Sequence, residues 1–191
     1  VIGKPLKFKF EEGSEYNWPT MSGFYFRPDE SRGGVLMDTG SHVVDLICWW
    51  FGSRPSVAAY FDDSFGGCEA VALLKLEIGG SIFGSVKLSR LSRLCNEYII
   101  EGEDATLICR PYDWRKLKLV INGRAKTVRL TVQQRSFGDF GSLVVDNFIK
   151  VILGHELPLV SAQDVIDSIA VLEECYRMRR RFKLPWMEVI N

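Results

Sequence analysis

The chain has 191 residues, 47% of them apolar and 25% charged, and its 24 lysines and arginines balance 24 aspartates and glutamates. A chain of this length can bury a full core without disulfide staples, so we expect a single domain over residues 1–191. The zero net charge argues against nucleic acid and against anionic membrane surfaces as partners, because both attract a basic excess.

The first elements follow from the spacing of apolar residues. Leu6, Phe8 and Phe10 alternate with charged residues, which predicts a half-buried strand. Residues 12–32 are rich in Gly, Ser, Pro and aromatic side chains, and this mixture predicts a packed, functional loop. Residues 33–52 then predict a largely buried helix that ends at Gly52.

Short strands occupy the middle of the chain. They are predicted over residues 57–61, 69–78, 81–88, 96–101, 106–110, 117–121 and 128–132. Gly79-Gly80 and Asn122-Gly123 are two-residue hairpin signals. Strands joined by such short turns must be antiparallel neighbours, so we expect an antiparallel meander.

The C-terminal part of the sequence is predicted to be helical. Helices are expected over residues 140–153 and 161–181, and the second begins with Ser161 and Asp164 in a capping-box pattern. Helices grouped against an antiparallel sheet are typical of the α+β class. The sequence therefore predicts a large, mostly antiparallel sheet with helices on one face.

One predicted strand indicates an interface. Over residues 69–78 one face is wholly apolar, whereas the other, formed by residues 69, 71, 73, 75 and 77, is half apolar. A sheet face that met only water would alternate more cleanly between apolar and polar residues. We therefore expect this second face to meet another domain or subunit, and we expect a homodimer or higher homo-oligomer through the sheet.

The cysteine pattern bears on compartment and metal binding. The five cysteines are widely spaced without a C-x-x-C pair, and only two histidines occur in the chain. We interpret the cysteines as buried thiols in a reducing compartment, which favours a cytoplasmic protein without a metal site. The longest apolar run, residues 43–51, is far shorter than the roughly 20 residues of a membrane span.

Three polar residues on the predicted helix form the candidate site. Asp38, His42 and Asp45 stand at i, i+4 and i+7, a spacing that places them on one helix face. A carboxylate four residues before an imidazole can hold one ring nitrogen, which leaves the other to exchange a proton with a substrate hydroxyl. The alternative is a polar stripe where the helix meets a loop, and spacing alone does not choose between the two.

The same helix carries a recognisable signature. Residues 33–45 read GGVLMDTGSHVVD and are followed by Trp50 and Gly52. This run resembles the G-G-x-L-x-D-x-G-x-H-x-x-D signature of the Gfo/Idh/MocA oxidoreductases. Residues 2–5, the pair Phe26-Arg27 and residues 160–186 resemble the start, an upstream aromatic-Arg pair and the closing helix of that family's second domain.

The resemblance covers the second domain only. The family's first domain is a Rossmann fold with a glycine fingerprint and a Glu-Lys-Pro motif, and neither motif has a counterpart in this sequence. Lys4 directly precedes a predicted strand and follows a glycine, so we assign it no catalytic role. The dinucleotide-binding domain is therefore expected to be absent from this chain.

The resemblance implies the substrate-binding and dimerisation domain of an NAD(P)-dependent oxidoreductase that acts on a small carbohydrate or polyol, such as a sugar or cyclitol. His42 would transfer the proton of the substrate hydroxyl with Asp38 as its companion, and Arg27 and Asp45 would contact the substrate or shape its pocket. NAD or NADP would bind to the other domain, so this chain alone is expected to bind no cofactor and to be inactive.

Two alternatives to this function remain. One is a stand-alone ligand-binding or scaffolding domain that has kept the fold and lost the chemistry. The other is a family member that uses NAD(P) transiently in a dehydratase or hydrolase reaction, because the same histidine and aspartate would serve it.

Overall fold

A large sheet forms one layer of the molecule. The computed structural model describes residues 1–17, 19–132 and 136–183. In this part of the chain the strands are β1 (Pro5–Gly13), β2 (Ser56–Asp62), β3 (Val71–Ile78), β4 (Ile82–Ser89), β5 (Glu97–Gly102), β6 (Thr106–Cys109), β7 (Lys116–Ile121), β8 (Arg124–Arg129) and β9 (Arg180–Arg181). They form one nine-stranded sheet in the order β8-β7-β6-β5-β1-β4-β3-β2-β9.

Two tight turns set the local pairing as the sequence predicts. Gly79 and Gly80 have φ of 58° and 72°, and Asn122 and Gly123 have φ of 49° and 75°. Positive φ at both central residues is the conformation of a type I′ hairpin turn, which matches the twist of the flanking strands. The antiparallel pairs β3–β4 and β7–β8 follow directly.

The meander is not continuous, which corrects the sequence prediction. β1 lies between β4 and β5 and runs parallel to β4 and antiparallel to β5. Residues 90–96 connect β4 to β5, and a connection of that length does not force its two strands to be neighbours. The sheet is still mostly antiparallel, because in the described chain only the β1–β4 and β2–β9 pairs are parallel.

In the described residues the α-helices are α1 (Pro28–Ser31), α2 (Ser41–Phe51), α3 (Phe137–Ile152) and α4 (Ala162–Arg177), and a 3₁₀ turn spans Phe24–Phe26. A π-helical turn over Leu36–Gly40 leads directly into α2, which ends at Gly52 with a φ of 60°, as predicted. The prediction for the last helix was too long, because α4 ends at Arg177 and the chain continues into β9. Residues 184–186 of the predicted closing segment lie outside the described residues.

The core lies between one face of the sheet and two helices. The buried residues of this cluster include members from the sheet (Phe8, Phe10, Leu74, Leu76, Val86, Leu88), from α2 (Val43, Val44, Ile47) and from α4 (Val171, Leu172, Cys175). Burial of each such side chain contributes about 1.5–3 kcal/mol, so this packing holds α2 firmly on the sheet. The structure is the expected α+β layer arrangement.

The opposite face of the sheet is half apolar at β3, as predicted for residues 71, 73, 75 and 77, and is charged at β1. Lys7 pairs with Glu101 at 2.8 Å, and Lys9 pairs with Glu11 at 2.7 Å. Phe83 is the large apolar residue that this face exposes on β4. Glu69, which was expected on this face, lies just before β3 and is buried.

The cysteine prediction is wrong in part. All five cysteines are free, as expected, but only Cys175 is buried, and Cys95 is exposed. No helix in the described ranges is long and apolar enough to cross a membrane.

Candidate functional site

The π-helical turn and α2 together carry Asp38, His42 and Asp45 and are called the site helix below. The start of this helix lies against one buried carboxylate, that of Glu69. The Glu69 carbonyl oxygen accepts a hydrogen bond from the amide of Val35 at 2.8 Å. The side-chain Oε1 of Glu69 accepts hydrogen bonds from the amides of Gly34 at 2.8 Å and Leu36 at 3.2 Å. These amides belong to the first turn and lack partners within the helix, so Glu69 satisfies three of them and places negative charge at the positive end of the helix dipole.

The glycine pair of the signature follows from this close approach. A Cβ on Gly34 would lie 1.9 Å from the Glu69 carbonyl oxygen, and a Cβ on Gly33 would lie 2.1 Å from the Tyr176 hydroxyl. No side chain fits at either position without movement of the backbone or of Tyr176. The two glycines therefore allow the helix to begin directly against Glu69.

The charge of Glu69 is balanced from the end of α4. Arg179 Nη2 lies 3.2 Å from Glu69 Oε2, and Arg179 Nε lies 2.7 Å from Asp62 Oδ2. The Tyr176 hydroxyl donates a hydrogen bond to Glu69 Oε1 at 2.8 Å, and burial together with the Glu69 charge raises the Tyr176 pKa. Pairing of this kind is what a buried carboxylate requires to stay charged.

Asp38 lies in the π-helical turn and points to an arginine. Arg90 Nη2 donates a hydrogen bond to Asp38 Oδ2 at 2.6 Å. Arg90 is 8% exposed and lies over the rings of Tyr16 and Tyr25 at 5.9 Å and 5.4 Å. The Asp38 carboxylate is therefore held in one direction by a guanidinium that is itself fixed by packing.

A small polar cleft opens beside this pair. Its volume is about 150 Å³, and it is lined by Glu12, Gly13, Ser14, Asp38, Thr39, Ser89, Arg90, Asn96 and Tyr112. The Tyr112 hydroxyl donates a hydrogen bond to Glu12 Oε1 at 2.8 Å, and burial together with this bond raises the pKa of Tyr112 to about 12. The cleft thus offers both hydrogen-bond donors and acceptors at close quarters.

His42 lies on a larger cavity between α2 and the start of α4. This cavity has a volume of about 560 Å³ and is lined by His42, Asp45, Leu46, Cys48, Trp49, Gly52, Ser53, Leu159, Val160, Asp164, Val165 and Asp167. His42 is exposed, and Trp49 presents 76% of its surface beside it. An exposed imidazole at a cavity wall can exchange a proton with a bound hydroxyl.

The structure brings together two of the three residues predicted on one helix face. His42 and Asp45 line the larger cavity, whereas Asp38 lines the smaller cleft, and no hydrogen bond between Asp38 and His42 occurs in the described part of the chain. Arg90 holds the Asp38 carboxylate at the smaller cleft, which accounts for its absence from the larger cavity.

The remaining predicted residue lies on the surface. Arg27 is exposed, precedes α1 and pairs with Glu30 at 2.6 Å. It lines neither of the two cavities described above. Among the described residues, no cluster of His, Cys, Asp and Glu has the arrangement of a metal site.

Sequence reasoning missed Glu69 and Arg90. Glu69 had a weak signal, because it stands at the head of an otherwise apolar strand pattern, whereas Arg90 had none beyond its place just after the predicted strand 81–88. Their partners lie 35 and 52 residues away along the chain, and periodicity carries no information on contacts at that separation.

Comparisons with known proteins agree on the fold. Residues 1–189 match the model of a protein family described as the oxidoreductase family, C-terminal alpha/beta domain. No curated protein matches the chain.

Several solved structures superimpose on the chain over almost its whole length. An aldose-aldose oxidoreductase from Caulobacter crescentus, complexed with glycerol, has a TM-score of 0.75 at 18% identity over 93% of this chain and 54% of its own. A levoglucosan dehydrogenase in complex with NADH and levoglucosan has a TM-score of 0.72 at 15% identity over 93% of this chain and 58% of its own. The 3-ketoreductase KijD10 from Actinomadura kijaniata, in complex with NADP and TDP-benzene, has a TM-score of 0.79 at 13% identity over 96% of this chain and 57% of its own. The chain thus spans little more than half the length of these proteins.

Proposed function

The chain belongs to the Gfo/Idh/MocA oxidoreductase family as its C-terminal α/β domain, and from this premise we propose that it binds a small carbohydrate or polyol and moves a hydroxyl proton during oxidation or reduction. We further propose that it works with a nucleotide-binding domain in the full-length protein, called the intact oxidoreductase below. The relatives described with NADH, NADP, glycerol and levoglucosan support this assignment.

The residues of this chain do not fit a dinucleotide. No G-x-G-x-x-G motif occurs in the sequence, so there is no glycine loop to approach a pyrophosphate at a helix N-terminus. We therefore assign NAD or NADP to the intact oxidoreductase and assign only substrate binding and proton transfer to this chain. Calorimetry on this chain should detect no binding of NADH or NADPH, and micromolar affinity for either would contradict the assignment.

His42 is proposed as the general acid/base. The observation that carries this proposal is its exposed imidazole on the wall of the larger cavity, with Asp45 three residues further along α2 on the same wall. An imidazole at this wall can accept a proton from a bound hydroxyl or return one to it, which is what oxidation or reduction at a carbinol carbon requires. Asp45 is proposed to shape the pocket around it.

Asp38 takes a different role from the one expected. Because Arg90 holds its carboxylate, Asp38 does not orient His42, and we assign it to accept a hydrogen bond from a second substrate hydroxyl. Asp38 and His42 are four residues apart, which is about 6 Å along a helix axis. We propose that a polyhydroxylated ligand reaches from the larger cavity to the smaller cleft and contacts both residues, and that exposed Arg27 binds the same ligand from the preceding loop.

A non-catalytic binding domain is the second candidate. The observation that favours it is the missing Asp38–His42 hydrogen bond, since no carboxylate in the described chain is bonded to the imidazole. Titration of a polyol panel into this chain, together with turnover of the intact oxidoreductase, distinguishes the candidates. Binding with NAD(P)-dependent turnover supports the enzyme, whereas binding by an intact protein that never oxidises or reduces any ligand supports the second candidate.

We also propose that copies of the chain associate through the outer face of the sheet. Phe83 is 56% exposed on that face, among ion pairs that a second copy can complement. Light scattering should detect a dimer that Phe83→Lys dissociates. Phe148→Lys is the matched control, because Phe148 is 63% exposed on α3. Dissociation by the control alone, or a monomeric wild type, would contradict the proposal.

A further inference from the structure

Glu69 controls the first turn of the helix that carries the candidate site. It binds the three consecutive amides of Gly34, Val35 and Leu36, two through its carboxylate and one through its carbonyl oxygen. Its side chain is fully buried and is fixed in turn by Tyr176 and Arg179. A single side chain thus links the start of the site helix to the end of α4.

The geometry of the helix makes this link important for the site. Asp38 and His42 lie four and eight residues after Gly34. At 1.5 Å per residue His42 is about 12 Å from the fixed turn, so a tilt of about 5° there moves its side chain by about 1 Å. A misplacement of about 1 Å in a reacting group can lower a rate about 10²-fold.

We propose that Glu69 is a positioning residue, which orients the site helix so that Asp38 and His42 meet the substrate correctly. The proposal rests on the proposed function, because it assumes that these two residues handle the substrate. Glu69 itself is buried and lines neither cavity, so it acts only through the helix.

The link can be measured on this chain without any substrate. Glu69→Ala removes the acceptor of the Gly34 and Leu36 amides, and these amides should exchange with solvent at least about 10-fold faster. Leu119→Ala is the matched control, because Leu119 is buried on β7 outside the core cluster that contains the site helix. If Glu69→Ala leaves amide exchange at Gly34 and Leu36 no faster than the control does, Glu69 does not hold the first turn of the site helix.

Turnover of the intact oxidoreductase tests the positioning role. Glu69→Ala should lower kcat of the folded protein about 10- to 100-fold and leave the KM for NAD(P)H unchanged, because the cofactor is held elsewhere. Glu69→Gln keeps an acceptor oxygen and should recover part of kcat. Leu119→Ala should keep kcat despite a lower melting temperature. If Glu69→Ala does not fold, Glu69→Gln alone tests the positioning role. We expect its kcat to be about 10-fold below that of the wild type.

The outcomes separate this inference from the proposed function. If His42→Ala lowers kcat and both Glu69 variants fold with wild-type kcat, the positioning role is wrong and the proposed function stands. If His42→Ala keeps full turnover in a folded protein, the proposed function fails first and the positioning role fails with it.

Discussion

Gly34→Ala is the substitution whose loss of stability follows most directly from the structure. The added Cβ would lie 1.9 Å from the Glu69 carbonyl oxygen, whereas ordinary contact begins at 3.4 Å. The helix start would have to move by about 1.5 Å, which takes its amide hydrogen bonds to Glu69 beyond bonding distance. Two of these bonds go to a carboxylate and one to a carbonyl, so their loss costs about 4 kcal/mol.

The reduced entropy of the unfolded chain offsets part of this loss, by about 0.4–1 kcal/mol for a Gly→Ala change. We therefore expect Gly34→Ala to lower the free energy of unfolding by about 3 kcal/mol and the melting temperature by about 6–12 °C. Gly141→Ala is the control, because Gly141 lies in α3 with no atom within 4 Å of an added Cβ. It should raise stability by about 0.5–1 kcal/mol. Equal melting of wild type and Gly34→Ala in calorimetry, alongside a stabilised control, would refute the reasoning.

Three further predictions test other parts of the structure. Arg90→Met should lower the free energy of unfolding, measured in urea, by about 1–3 kcal/mol because Asp38 loses its partner. For exposed Arg93→Met the free energy of unfolding should stay within about 0.5 kcal/mol of the wild-type value. Iodoacetamide at pH 8 should modify exposed Cys95 in the native protein well before Cys48, whose thiol pKa is raised by burial to about 11; equal rates would contradict the structure. Hydrogen bonds from Ser161 lower the pKa of Asp164, so its stabilising effect should be present above the ordinary aspartate pKa of about 4 and lost as the pH falls through the lowered folded pKa. The difference in melting temperature between wild type and Asp164→Ala should therefore shrink as the solution is acidified from neutral pH.

Features governed by local residue preferences could be predicted from the sequence. Gly52 ends the site helix because it adopts a positive φ, and Asn122-Gly123 forms a hairpin for the same conformational reason. The Gly33-Gly34 pair was recognised as part of a signature, but its physical cause required the structure. Only the three-dimensional contacts of Glu69 and Tyr176 explain why no side chain fits there.

Features that depend on distant contacts could not be predicted. β1 inserts between two strands that the chain reaches more than seventy residues later, and nothing in its alternation indicates a parallel neighbour. Asp38 was assigned to His42 on helical spacing, yet Arg90, a charged residue directly after β4, binds its carboxylate instead. Both effects arise from tertiary packing, which overrides a pattern read within one helix.

Turnover and melting temperature of His42→Ala, measured on the same samples of the intact oxidoreductase, test the proposed function most directly. His42 is exposed and contributes no core contact, so the variant should melt at the wild-type temperature. Loss of a positioned proton-transfer group should lower turnover about 10²- to 10⁴-fold. Asp38→Asn should lower it less, because the imidazole remains. Full turnover in a well-folded His42→Ala protein would contradict the assignment of His42 as the acid/base.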